Sequence, residues 1–297
     1  MGGDIGLSVT VPASVAFLER QSDVKLLMVG DEAKLLAALK SVHAPMNRIS
    51  VIHASEVVDM DEDPRNALRH KKDSSMRVAI NQVKEGLAEA AVSAGNTGAL
   101  MATAKFVLKT IEGIERPAIA KFLPTSNGGL TCVLDLGANI DSTPEHLLQF
   151  AIMGAQLVQA VNPQVKSPRV GLLNIGSEEI KGNSTVKETY QLLQNSELNF
   201  IGNVEGDDIF TGEVEVIVAD GFVGNVALKT IEGTVKMMGQ IIKSEFNSSA
   251  LSKAQGLIAK PVLAQVKKRI DPRRFNGAIF LGLRGVVVKS HGGTDAV

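Results

Sequence analysis

Tryptophan is absent from this 297-residue sequence and tyrosine occurs once, as Tyr190. With aromatic residues at only 4%, the core has to be built from aliphatic side chains, and a site that grips its ligand by ring stacking is not expected. Cysteine also occurs once, as Cys132, which excludes an intramolecular disulfide framework and a cysteine-rich metal cluster and suits a reducing cytoplasm. Neither sign of charge dominates: 31 Lys and Arg stand against 32 Asp and Glu, a net charge of −1. General nucleic-acid binders carry a large basic excess, so no nucleic-acid partner is expected. No apolar run approaches the roughly 18 residues that cross a bilayer. The opening Met1-Gly2-Gly3-Asp4 has neither a basic region nor an apolar stretch, so no secretory signal is expected. What remains is ample for a core: 44% of residues are hydrophobic and 21% charged.

One pattern recurs along the chain. A short apolar run ends in a glycine-containing polar turn, and a helical pattern usually follows. Such runs lie at 25–30, 89–95, 131–137, 169–176, 213–221 and 284–292, with a further strand at 49–54 that lacks the glycine. Runs that are apolar throughout are what strands buried on both faces look like. Helices are predicted at 14–20, 32–42, 76–85, 98–110, 144–161, 184–194 and 225–246. Strands alternating with helices imply an α/β fold: a three-layer sandwich around a mostly parallel, doubly wound, Rossmann-like sheet. One large domain over 1–297 is expected, with a helical protrusion at about 234–274.

In such sheets ligands sit outside the carboxyl ends of the strands. The turns there carry Ser93, Gly95, Asn96, Thr97 and Gly98; then Asp135 and Asn139; then Asn174 and Lys181; then Asp220, Gly224 and Asn225; and finally Lys289, Ser290 and His291. Glycine lets backbone N–H groups approach an anion, and a helix N-terminus adds partial positive charge. A glycine also simply permits a tight turn. Several such turns, each ending in an amide or a charge, favour a shared anion-binding cleft.

Other motifs are missing. There is no GxGxxG after a strand, no GxxxxGK[ST], no HExxH and no CxxC, and the five histidines show no ligand spacing. Ala91 to Gly95 resembles a nucleophile elbow with its first glycine replaced, and Ser93 would then need His291 and Asp220 as partners. Asn96 and Gly98 read better as an anion turn. Cys132, inside an apolar strand, reads as a small buried hydrophobe. The stretch Lys109-Thr110-Ile111-Glu112-Gly113 recurs at Lys229 to Gly233, by chance or as a relic of duplication; its distance from the preceding turn differs, so it does not establish a true repeat.

Taken together, Met1-Gly2-Gly3-Asp4, Val92 to Ala99, Gly113 to Ala118, Asp135 to Asn139, Asn174-Ile175-Gly176 with Lys181-Gly182-Asn183, Asp220 to Val226 and Lys289 to Gly292 resemble one family along the whole chain. These are the bacterial phosphate acyltransferases of phospholipid synthesis. The resemblance implies conversion of acyl-[acyl-carrier protein] and inorganic phosphate to acyl phosphate, with no cofactor and no metal. It implies a homodimer at the cytoplasmic face of the cell membrane, serving a downstream glycerol-3-phosphate acyltransferase. It also implies a strand ahead of Met1 and a helix after the last turn, so Met1 is expected to be internal to a longer chain, or the sequence to be trimmed. Alternatives are a phosphotransacetylase-like enzyme using acyl-coenzyme A and a non-catalytic acyl- or anion-binding scaffold at the membrane.

For that reaction no serine or cysteine nucleophile is needed, because phosphate attacks and a thiolate leaves. The protein has to position phosphate and stabilise the oxyanion. Backbone N–H groups of Asn96 to Gly98 are the candidate cradle. Lys181 is the candidate for charge compensation, Asn225 a donor to the carbonyl oxygen, and His291 a proton donor or phosphate ligand. Asp4, Asp135 and Asp220 are expected to orient these groups or to cap turns. After Gly233 an apolar stripe continues through Leu251, Ala254, Leu257, Ile258 and Val262. Ala250 to Arg274 carries seven basic residues against Asp271 alone. That segment reads as a protruding helix pair for dimerisation and membrane contact, or as a solvated basic face.

Overall fold

The computed structural model describes residues 1–270 and 277–291. Asp271, Arg273, Arg274 and Gly292 lie outside the described residues. In chain order the elements are α1 (Leu7–Arg20), β1 (Leu26–Gly30), α2 (Glu32–Ser41), β2 (Ile49–His53), α3 (Pro64–His70), α4 (Ser75–Lys84), β3 (Ala90–Ser93) and α5 (Thr97–Leu108). They continue as β4 (Ala118–Pro124), β5 (Leu130–Leu134), α6 (Pro144–Val161), β6 (Arg169–Leu173), α7 (Ser184–Gln194), β7 (Asn199–Val204) and β8 (Val216–Val218). Last come α8 (Gly221–Asn247), α9 (Ala250–Ile270), β9 (Ala278–Leu281) and β10 (Val286–Lys289).

The chain divides into two compact units, Met1–Pro117 with Gly277–Val297, and Ala118–Asn276. In the first, β1 and β2 form a parallel pair, Leu26 beside Ile49. There β10 also runs parallel to β3, with Lys289 opposite Ser93, and antiparallel to β9. Val11, Leu18, Leu35, Leu39 and Ile49 make an aliphatic core with no aromatic member. In the second unit the strand order is β4-β5-β8-β6-β7, with β5, β8, β6 and β7 parallel and β4 antiparallel. Its centre, Cys132 to Leu134, Val170, Leu172 and Val216 to Val218, is fully enclosed. Burial pushes the Cys132 thiol up to about 12, which leaves it without nucleophilic character.

Local chemistry sets the helix starts. Asp31, Asp63, Ser74, Asn96, Asn183 and Asp220 each accept a backbone N–H from the first turn of the helix that follows. At α6, Thr143 and His146 form a reciprocal capping box, with Pro144 at the first helical position. The predicted mainly parallel α/β arrangement is what is found. Three strands escaped the pattern: β4 because Lys121 interrupts its apolar run, β7 because its faces alternate, and β9 because it is short. The first helix starts at Leu7, not Ser14, and carries Pro12 inside.

Arg169 at the start of β6 clamps Glu215 ahead of β8. Its Nη2 lies 2.6 Å from Oε1 and its Nε 3.0 Å from Oε2, and the Arg169 backbone N–H adds a bond of 2.8 Å. Burial alone raises the Glu215 carboxyl, but the guanidinium and backbone donors outweigh it and hold the group below the usual glutamate range. A lowered acid stabilises the fold above its unfolded value and loses that contribution as pH falls through the folded one. Glu215→Gln is therefore expected to cost about 1 kcal/mol at neutral pH, given the partly exposed pair. The deficit should shrink in acid, as measured by urea unfolding at both pH values. A deficit that does not change with pH would contradict this account.

Candidate active site

In the second unit the site grows from the loop after β5. The Asp135 carboxylate is fully buried and accepts four N–H groups: Ile119 N at 2.8 Å, Ala138 N at 3.1 Å, Asn139 N at 2.7 Å and Asn139 Nδ2 at 2.9 Å. Burial pushes its carboxyl up, against the pull of those donors. Gly137 holds this turn at φ 117°, a left-handed conformation that favours glycine. The start of α8 lies directly against the loop. A Cβ on Gly221 would stand 2.2 Å from the Asn139 carbonyl oxygen, and one on Gly224 would stand 1.9 Å from the Asp135 carbonyl oxygen. Asp135 thus shapes the loop, and Gly224 acts by close approach of backbone to backbone.

Asp220 heads α8, accepting Phe222 N at 2.9 Å and Ser142 N at 3.0 Å. Beside it opens a cavity of about 280 Å³ at the carboxyl ends of β5, β6 and β8. Its lining is mixed: Leu147, Leu172, Val186 and Phe222 are apolar, and Asp141, Asp220, Asn183 and Thr185 are polar. Ser142 also lines it, and its Oγ is buried with no hydrogen-bond partner. Sequence reasoning passed over Ser142; the Asp141-Ser142-Thr143-Pro144 start of α6 was the available signal. An unsatisfied buried hydroxyl is costly, so a ligand that accepts its bond recovers free energy.

Lys181 projects from the loop after β6 as an exposed side chain, and among the described residues no carboxylate pairs with it. Asn174 fastens this loop, its Oδ1 accepting Ile175 N at 2.9 Å and its Nδ2 donating to the Lys181 carbonyl at 3.2 Å. Asn174 is a staple of the loop more than a hand for ligand. Asn225, in the second turn of α8, packs its Cβ and Cγ 3.3 Å from where a Cβ on Gly137 would lie, and is exposed. The second unit therefore brings Asp135, Asn139, Asp220, Gly224 and Asn225 together, with Lys181 two residues before the cavity-lining Asn183.

A buried cation in this unit also escaped sequence reasoning. Lys121, on β4 and 8% exposed, lies 3.6 Å from Glu232 of α8, which also meets Lys229 at 2.9 Å. Burial draws its ammonium below the ordinary lysine value while Glu232 pulls the other way.

The first unit assembles the other candidates. Asn96 heads α5 with its amide fully engaged: Oδ1 accepts Ala99 N at 3.0 Å, and Nδ2 donates to the carbonyls of Met60 and Glu62, each at 2.9 Å. What this turn offers a ligand is the backbone N–H groups of Thr97 and Gly98 at the helix start. Ser93 Oγ accepts Gly95 N at 3.1 Å, so the serine supports its own turn. Gly2 and Gly3 run alongside Gly95 and Ala94, placing the exposed Asp4 near this turn. Lys289 Nζ donates to the Ala94 carbonyl at 3.4 Å and to that of Ser290, and the exposed His291 follows. No group of His, Cys, Asp and Glu able to hold a metal occurs among the described residues.

The mostly parallel α/β fold is shared with solved phosphotransacylases. A phosphotransacetylase from Streptococcus pyogenes superposes with a TM-score of 0.65 over 96% of this chain and 86% of that one, at 17% identity, a likeness that concerns the fold. The chain belongs to the family described as Fatty acid synthesis protein, matched over residues 1–297. Within it, a phosphate acyltransferase from Neisseria meningitidis serogroup C is 64% identical over 99% of this chain and 84% of its own length. One from Chromobacterium violaceum is 61% identical over 99% and 85%.

Proposed function

We propose that this acyltransferase moves an acyl group from the thioester of an acyl carrier protein to inorganic phosphate, yielding acyl phosphate for phospholipid synthesis. The observation that supports this most directly is the partly apolar cavity with its unsatisfied Ser142 hydroxyl. Asp141 and Asp220 in its lining disfavour a phosphate dianion there, whereas a neutral acyl thioester suits Leu147, Leu172, Val186 and Phe222. In the reaction a phosphate oxygen attacks the thioester carbonyl carbon, the carbonyl becomes an oxyanion, and the C–S bond breaks as the thiolate leaves. Lys181 compensates the negative charge and Asn225 donates to the oxyanion. Within the first unit, the Thr97 and Gly98 N–H groups at the start of α5 offer a place for an anion. Trapping the product as hydroxamate, with carrier-protein and coenzyme A thioesters compared as donors, tests the assignment. Product from the carrier-protein donor is the expected result. Product from coenzyme A alone establishes the phosphotransacetylase-like reading, and none from either establishes the scaffold.

We also infer that α8 and α9 carry the contact with a partner subunit and with the membrane surface. The two helices pack together, yet Leu251, Leu257, Ile258 and Val262 are 62–81% exposed, with Ala254 beside them. Exposed apolar side chains in that density mark an interaction face, and the exposed Lys253, Lys260 and Lys267 suit anionic headgroups. No helix among the described residues is long and apolar enough to cross a membrane. The double variant Leu257→Glu/Ile258→Glu is expected to weaken binding to anionic vesicles by about tenfold or more while leaving the fold intact. Undiminished co-sedimentation would remove this face from membrane contact.

A further inference from the structure

A second surface of the first unit takes no part in the site described above. Helices α3 and α4 both pack on α5, and an open cavity of about 370 Å³ is lined by Leu68, Ala102, Lys105, Phe106, Lys109 and Thr110. Phe106 is 50% exposed. Two cations stand over its ring: the Arg77 guanidinium carbon lies 5.0 Å from the centroid and Lys109 Nζ 4.8 Å. Among the described residues neither is paired with a carboxylate, nor is Lys105, whose Nζ donates to the Glu115 carbonyl at 3.2 Å. Lys71 is bridged to Glu62 and Asp59, yet the stretch from Pro64 to Lys84 holds six Lys or Arg and a single acid, Asp73. That acid is itself committed to Ser55, through bonds of 2.8 and 2.6 Å.

Lys109 adds an independent sign. It ends α5 at φ 64° and ψ 171°, a region that favours glycine strongly. A lysine kept there costs stability that glycine would not, and what it gains is an ammonium group poised over an exposed ring.

We propose that this face docks the acidic carrier protein that brings the acyl thioester, a step that rests on the donor assignment above. Unpaired cations around an exposed ring want a partner that is both anionic and partly apolar, and the cavity is too open to enclose a small anion. A helix of an acidic protein meets both needs, laying carboxylates against Arg77, Lys105 and Lys109 and an apolar side chain against Phe106. The position agrees. The 12 residues of α5 separate this face from the Thr97–Gly98 turn by about 18 Å. A carrier docked here therefore needs only a flexible arm of one helix length to reach it.

Two variants test the surface: Arg77→Glu/Lys105→Glu, which reverses the charge, and Lys109→Gly, which removes one cation while relieving its backbone. Steady-state kinetics are measured with an acyl carrier protein thioester and with a short acyl-pantetheine thioester, at low and high salt. The double variant is expected to raise KM for the carrier donor about tenfold at low salt with kcat nearly unchanged, and Lys109→Gly to raise it about threefold. KM for the short donor should move less than about twofold in both, and Lys109→Gly should melt no lower than the parent. If the parent uses acyl carrier protein but both variants keep its KM, the surface is wrong and the donor stands. If the parent turns over only non-protein thioesters, the donor assignment falls and this proposal with it. Loss of anionic-vesicle binding with an unchanged carrier KM would reassign the face to lipid and overturn the proposal.

Discussion

Lys181→Ala is expected to lower acyl phosphate formation by about 10²-fold or more, the usual scale for a preorganised electrostatic group at a developing oxyanion. The expectation rests on placement. The lysine stands on a loop whose shape is set by the Asn174 amide at both ends, it is exposed, and it follows the parallel strand β6 two residues ahead of the cavity wall. The loss should appear mainly in kcat, because the charge being compensated grows in the transition state. Lys181→Arg should retain part of the rate. Near-normal turnover by a folded Lys181→Ala protein removes this residue from the mechanism and moves the charge to another cation.

Gly224→Ala is expected to cost about 3 kcal/mol or more, or to prevent recovery of soluble protein. The added methyl would sit 1.9 Å from the Asp135 carbonyl oxygen, a backbone atom inside a loop held by four N–H bonds to a buried carboxylate. Nothing there can yield without disturbing Asp135, Asn139 and the first turn of α8 together. The control lies on the same helix: a Cβ on Gly233 meets nothing within 4 Å, so Gly233→Ala should stabilise by about 0.5–1 kcal/mol. Thermal melts of the pair separate close approach from helix propensity. Equal effects at both positions would show that contact with the Asp135 loop is not what demands glycine.

Legibility followed the range of the interaction. Several helix starts were readable because a capping side chain and its N–H partner lie within three residues, as at Thr143 and Asn183; α8 begins four residues earlier than expected. The central parallel strands were readable because burial on both faces leaves an uninterrupted apolar run. β4 was not: Lys121 breaks its run, and only the distant Glu232 on α8 makes that lysine tolerable inside. The pentapeptide shared by Lys109 and Lys229 makes the same point. The first copy turns away from α5 through a left-handed lysine, and the second lies inside α8. Identical residues take both conformations because packing overrides weak local preference.

Turn residues were found as a set and only partly by role. Asp135 and Asp220 were expected to orient groups or cap turns, and both accept backbone N–H groups; the side chains of Asn96 and Asn174 are likewise engaged by backbone groups. Ser142, Phe106 and Arg77 carried no motif. Their significance comes from a missing hydrogen bond in one case and from unshared charge around a ring in the other.

By itself the sequence determined the α/β class, a mainly aliphatic core, the starts of helices such as α2, α6 and α7, and the family, because each depends on neighbours along the chain or on motifs read in order. The tertiary structure decided which polar groups remain free for chemistry. Hydrogen-bond satisfaction is a matter of partners brought close in space, from residues as far apart as Ser142 and Asp220, and no local pattern records it.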